Sequence, residues 1–108
     1  MYQYNDCDEK PEFPGGAKEL LKFLGKNINY PPISGDHFHT RILVQCVIDK
    51  DGSVKDAKVI RPGDVMNDNY CVRESIRVVS SMPKWKPGKV GGKPVACLLT
   101  IPVMFRLQ

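Results

Sequence analysis

Two runs of alternating residues joined by an Asp-Gly turn constrain this chain more than any other feature. In residues 40–49, Ile42, Val44, Cys46 and Ile48 alternate with Leu43, Gln45 and Val47. One face of that strand is fully apolar and the other half apolar, the pattern of a central strand covered on one side. Lys50-Asp51-Gly52-Ser53 follows, and residues 54–61 return with Lys55 and Lys58 on the outer side. Asp-Gly between two such runs predicts a tight antiparallel hairpin. Asp49 and Asp51 superficially resemble a calcium loop, but the third acidic ligand and the distal Glu are missing, so the pair reads as turn chemistry.

The flanking segments carry helical spacing. In residues 17–28, Leu20, Phe23 and Leu24 stand at i, i+3 and i+4, widened by Leu21 and Ile28. Tyr30-Pro31-Pro32 ends that helix, because a residue before proline is pushed out of the helical region. Asp68 can cap a second helix running to Met82, with Val72, Ile76 and Val79 as its buried stripe. Arg73 and Arg77 fall on the other side, with Glu74 close by, and Pro83 stops the helix. Residues 84–93 read as a long turn. Residues 94–107 read as a last strand with Val95, Cys97, Leu99, Ile101, Val103 and Phe105 on one face.

The order helix, strand, strand, helix, strand implies an α+β fold. A right-handed crossover through the second helix sets the last strand beside the first, antiparallel to it. The expectation is two helices packed on one face of a three-stranded antiparallel sheet, in the order 2-1-3. The last strand is then an edge. Pro102 agrees, since proline cannot donate a ladder bond and is confined to edges or bulges. A long apolar edge strand is a liability unless something pairs with it, which points to strand addition. Two copies could also pair last strand to last strand. The expected state is a monomer–dimer mixture that a bound peptide shifts toward monomer.

The chain has 108 residues, the size of one small domain. Residues 1–10 read as an N-terminal linker or tail, and residues 11–108 as the domain. The net charge of +4 is mild. Its distribution is uneven: Asp6, Asp8, Glu9 and Glu12 open the chain, while Lys84, Lys86, Lys89 and Lys93 stand together without an acid between them. Such a surface attracts anionic partners, but it lacks the dense Arg/Lys clusters and interleaved aromatics of a nucleic-acid binder. The four cysteines form no Cys-x-x-Cys pair. Cys46 and Cys97 read as small buried hydrophobes, and a Cys46–Cys97 bridge stays open in an oxidising compartment, since sequence does not fix connectivity. His37-Phe38-His39 offers two imidazoles beside Asp36, yet a metal site needs a third and fourth ligand, so a polar loop is preferred. No nucleophile motif, zinc-protease motif or phosphate loop is present, so neither an enzyme nor a cofactor is expected.

Five motifs, in order, resemble the C-terminal domains of TonB-type energy transducers from Bacteroidetes-type bacteria. They are Pro11-Glu12-Phe13-Pro14-Gly15-Gly16, Asn29-Tyr30-Pro31, the hairpin from Val47 through Val54, Met82-Pro83-Lys84-Trp85-Lys86-Pro87-Gly88-Lys89, and Ile101-Pro102-Val103-Met104-Phe105. The resemblance implies a periplasmic domain, tethered to the inner membrane by an N-terminal segment upstream of this sequence. It implies that the domain binds the TonB box of outer-membrane TonB-dependent transporters. Energy would come from proton-motive force through ExbB- and ExbD-like proteins at the anchor, for nutrient uptake. Carried over by position, the partner-binding residues are Asn27, Asn29, Tyr30 and Pro31, with Val95, Ala96, Cys97, Leu98, Leu99, Thr100, Ile101 and Val103 along the last strand. Pro83, Trp85, Pro87 and Gly88 form the structural signature, in which Trp85 is read as a core or loop anchor. Tyr30 is read as packing more than direct contact. Similar domains also occur fused to membrane peptidase or signalling modules, so a sensing or scaffold role is the alternative.

Overall fold

A computed structural model of the chain describes residues 1–29, 38–61 and 69–107. In chain order the elements are β1 (Tyr2–Gln3), a 3-10 turn (Tyr4–Asp6), α1 (Ala17–Asn27), β2 (Phe38–Ile48), β3 (Val54–Arg61), α2 (Asn69–Ser80), β4 (Gly88–Val90), β5 (Lys93–Val95) and β6 (Cys97–Leu107). Among the described residues, no helix is long and apolar enough to cross a membrane.

β2 is the central strand. It pairs antiparallel with β6 without a register shift, from Phe38 opposite Leu107 to Ile48 opposite Cys97. β3 pairs antiparallel on its other side. The order β3-β2-β6 is the expected 2-1-3, but the main sheet has four strands and is mixed, not three-stranded and antiparallel. β1 adds in parallel to β6, with Tyr2 opposite Cys97 and Gln3 opposite Leu98. An edge strand leaves a row of backbone groups open, and here the start of the chain covers the first of them.

Residues 84–93 are not a plain turn. They hold most of a second sheet, in which β4 pairs antiparallel with β5. Gly91 and Gly92 sit at φ 59° and 79°. Two consecutive left-handed residues are what a type I′ hairpin turn requires, and glycine supplies them without a steric cost. The last strand therefore starts at Cys97 rather than at Pro94. Val95 belongs to β5, opposite Gly88, and Ala96 separates the two sheets.

β2 turns Ile42, Val44, Cys46 and Ile48 into the core, and β6 turns Leu99, Ile101, Val103 and Phe105 to the same side. Leu24 of α1, Ile28 just after that helix, and Cys71, Val78 and Val79 of α2 close that core. Both helices thus cover one face of the sheet. The stripe expected from Val72, Ile76 and Val79 is rotated: Cys71, Ser75, Val78 and Val79 are fully buried, while Val72 and Ile76 are half-buried. Ser75 can occupy a core position because its Oγ donates to the Cys71 carbonyl at 2.7 Å, which satisfies the hydroxyl away from water. α2 ends at Ser80, short of Met82. The Asp68 cap lies outside the described residues.

On β3 the core-facing residues are Val54, Ala57 and Val59, spaced three and then two apart. The register against β2 shifts between Gln45 and Val47, beside Asp56 at φ 54°. This is a β-bulge, one extra residue that resets the phase of the strand. It also explains how Lys55 and Lys58 both reach the outer face, opposite Val47 and Gln45.

Candidate functional site

The outer edge of β6 follows from the ladder. On a strand, one residue's N–H and C=O point the same way, and successive residues alternate between the two edges. The Ala96 carbonyl accepts the Tyr2 N–H at 3.1 Å, on the β1 side. Leu98, Thr100 and Pro102 therefore also aim their backbone groups away from β2. Pro102 stands opposite Leu43, and in this phase its missing N–H removes nothing from the β2 ladder. β1 stops at Gln3, so it covers the edge only as far as Leu98. Beyond it, Thr100 presents an N–H and a C=O, and Pro102 a C=O.

Residues 1–10, expected as a linker or tail, lie against the domain. After β1 the chain folds over the β4 region. The N–H groups of Asp8 and Glu9 donate to the Lys89 carbonyl at 2.9 and 3.2 Å, and the Lys89 N–H donates to Glu9 at 2.8 Å. Glu12 and Lys86 exchange backbone bonds at 3.0 and 2.8 Å. Asp8 Oδ2 accepts the Gly91 N–H at 2.7 Å. The acidic opening of the chain thus runs beside its own basic stretch. Gly88 allows a close approach: a Cβ there would stand 3.1 Å from both Cys7 Sγ and Pro11 Cδ, so these neighbours would have to shift by a few tenths of an ångström. The opposite charges of these two segments were visible in the sequence, but not their pairing.

A groove of about 440 Å³ borders the edge. Leu99, Thr100, Ile101 and Pro102 of β6 line it, together with Phe13, Leu20 and Trp85, and with Lys10 and Glu12 among its polar groups. Trp85 is buried and meets the Phe13 ring edge-on, at 5.7 Å and 87°. Phe13 in turn contacts Phe23 at 5.6 Å. The Trp85 indole N–H is buried without a hydrogen-bond partner among the described residues. Pro83 is exposed and Pro87 half-buried on either side of it.

The carried-over residues do not fall in one place. Cys97, Leu99, Ile101 and Val103 are buried, with side chains in the interior and backbones toward β2. Ala96, Leu98 and Thr100 face the outer edge, and the first two sit where β1 already pairs. Val95 lies in the second sheet, away from this edge. Asn27, the last residue of α1, and Asn29 just beyond it are tied to α2 through the Glu74–Arg77 ion pair. The Arg77 guanidinium donates to Glu74 at 2.6 and 2.8 Å and to the Asn27 carbonyl at 2.8 Å. The Asn29 N–H donates to Glu74 Oε2 at 2.7 Å. The Arg77 bond holds the buried Glu74 carboxyl below its ordinary range, and the Asn29 amide adds to that against the opposing cost of burial. Tyr30 and Pro31 lie outside the described residues, as does His37.

All four cysteines are buried free thiols. Cys97 meets Cys7, not Cys46: the two sulfurs are 3.5 Å apart. Asp49 and Asp51 are engaged in the hairpin turn. Asp49 accepts from the Lys50 N–H and pairs with Lys55, while Asp51 accepts from Ser53.

A helix-backed sheet in which β1 covers only the start of the β6 edge, with an apolar groove beside it, defines an interaction domain suited to accepting an extended segment. Residues 27–107 match the family model described as Gram-negative bacterial TonB protein C-terminal, and the chain belongs to that family. Domains of the family are periplasmic in Gram-negative bacteria and interact with outer-membrane TonB-dependent receptors. Comparison with curated proteins and with solved structures returned no match. The match begins at Asn27, so β1, the N-terminal segment and nearly all of α1 lie ahead of it.

Proposed function

We propose that the domain grips the TonB box of an outer-membrane transporter by strand addition to β6, as the periplasmic, non-catalytic end of an energy transducer. The observation that carries this reading is the edge at Thr100 and Pro102, beyond the end of β1 and bordered by the groove. An added peptide would continue the line of β1. Its main chain would bond to Thr100 and to the Pro102 carbonyl, and alternate side chains would turn toward the groove. Main-chain bonds supply affinity that depends little on side-chain identity. Force along the strand loads those bonds together, so a modest interface could resist a pull. The pull would come from ExbB- and ExbD-like partners at an inner-membrane anchor.

The test is an NMR titration of the labelled domain with peptides from the N-termini of TonB-dependent transporters of the host. Shifts concentrated at residues 99–102, on groove residues such as Phe13 and Trp85, and at Asn29 are expected. A peptide that shifts only β3 or the outer sheet face, or none that shifts anything at millimolar concentration, would overturn the reading.

A further inference from the structure

We infer that Cys7 and Cys97 form a disulfide when the domain folds in an oxidising compartment, fastening the N-terminal segment covalently to the start of β6. Three observations carry this. First, Cys7 Sγ lies 3.5 Å from Cys97 Sγ, and both residues are buried, at 4% and 0% exposure. A bridge needs about 2.05 Å, so the sulfurs must close by roughly 1.5 Å. Second, the backbone already brings the two segments together on both sides of the pair, through Tyr2 opposite Cys97 and Glu9 against Lys89. Third, Gly88 leaves the room in which Cys7 sits. Cys46 is placed less well. It stands opposite Leu99, while Cys97 stands opposite Ile48. Cys46 and Cys97 are therefore diagonal neighbours, whose Cα atoms are roughly 7–8 Å apart in a regular ladder, at or beyond the usual limit for a bridge.

The chemistry balances as thiol–disulfide exchange. The two thiols lose two protons and two electrons as the sulfur–sulfur bond forms. A disulfide oxidant takes up both electrons through a mixed disulfide and leaves as its dithiol. Burial, and then the contact with Cys7, pushes the Cys97 thiol up to about 12. A raised thiol is a poor nucleophile, so Cys97 itself attacks slowly in the docked chain. The consequence for force rests on the reading proposed above. A pull arriving from an N-terminal anchor would pass through Cys7 directly into β6, the strand that would hold the peptide. The residues between 7 and 97 would carry none of it.

The experiment refolds the whole chain in a mixture of reduced and oxidised glutathione, alkylates free thiols and maps the peptides by mass spectrometry. The expected result is a chain lighter by two hydrogens, half of its thiols alkylated, and a crosslinked peptide joining Cys7 to Cys97. The Cys46→Ser variant should keep that crosslink and Cys7→Ser should lose it. Four alkylated thiols after oxidation, or a crosslink through Cys46, would overturn the inference. This readout is independent of peptide binding: a crosslink without peptide shifts would leave the bridge standing and remove only its role in transduction. In single-molecule pulling from the two termini, the oxidised chain should gain no length from the segment between residues 7 and 97 until a reductant is added.

Discussion

The Trp85 backbone N–H donates to the Gly52 carbonyl at 2.8 Å, which joins the tip of the β2–β3 hairpin to the loop ahead of β4. Gly52 holds φ 89°, and a Cβ there would run into the Trp85 carbonyl. Gly52→Ala is expected to cost about 2 kcal/mol or more, from strain at positive φ and displacement of the loop. Urea unfolding followed by the fluorescence of Trp85 measures it. A variant within about 0.5 kcal/mol of the parent would mean that the loop gives way freely.

Trp85 itself separates packing from hydrogen bonding. Its indole N–H has no partner among the described residues, so Trp85→Phe removes no bond and keeps the edge-on contact with Phe13. The expected loss is below about 1.5 kcal/mol, against about 3–5 kcal/mol for Trp85→Ala. Circular dichroism of both variants across a urea series checks the ratio.

Glu74 makes stability depend on pH. Its ordinary value is 4.5, and Arg77 first, then the Asn29 amide, lower it in the folded chain. A group lowered on folding contributes stability above its unfolded value and loses it as pH falls through the folded one. The urea midpoint should therefore hold from neutrality down to pH 4.5 and fall below it. Glu74→Gln should be less stable at neutral pH and should flatten that fall. An unchanged acid slope in the variant would remove Glu74 from the explanation.

The edge predicts opposite outcomes for two neighbouring prolines. Thr100→Pro removes an N–H that points away from β2, so the domain should fold while peptide affinity drops several-fold, the weight of one backbone bond. Leu99→Pro removes an N–H that faces the β2 ladder and should prevent folding. NMR spectra and titrations of both variants test the phase of the strand. A Thr100→Pro domain that binds as tightly as the parent would place the peptide elsewhere.

β1 shields the start of that edge. Deleting residues 1–5 should increase self-association through β6, read by light scattering, and saturating peptide should reverse it. A truncated chain that stays monomeric at the same concentration would mean that the edge is protected by other means.

Much of the site was legible as position and not as contact. Pro102 agreed with an edge position for the last strand, because a residue without an N–H cannot donate to a ladder. Thr100 could not be singled out from its neighbours until the Tyr2 bond to Ala96 set which residues look outward. Trp85 stood out as the single tryptophan in a proline-rich stretch, yet its partners Phe13 and Gly52 come from two other parts of the chain.

Local patterns determined the hairpin, both helices and the central position of β2, since alternation and helical spacing are properties of neighbouring residues. The Gly91-Gly92 turn is equally local, since two adjacent glycines supply its left-handed conformation. The phase of α2, the bulge at Asp56, the docking of residues 2–12 and the meeting of Cys7 with Cys97 were decided only by tertiary structure. Each depends on which surface arrives opposite. Ser75 takes a core position because Cys71 satisfies it, and the acidic opening of the chain finds the lysine stretch because the fold brings β4 beside it. Backbone bonds between residues some eighty positions apart leave no periodic trace in a sequence, and they set the edge on which the proposed function rests.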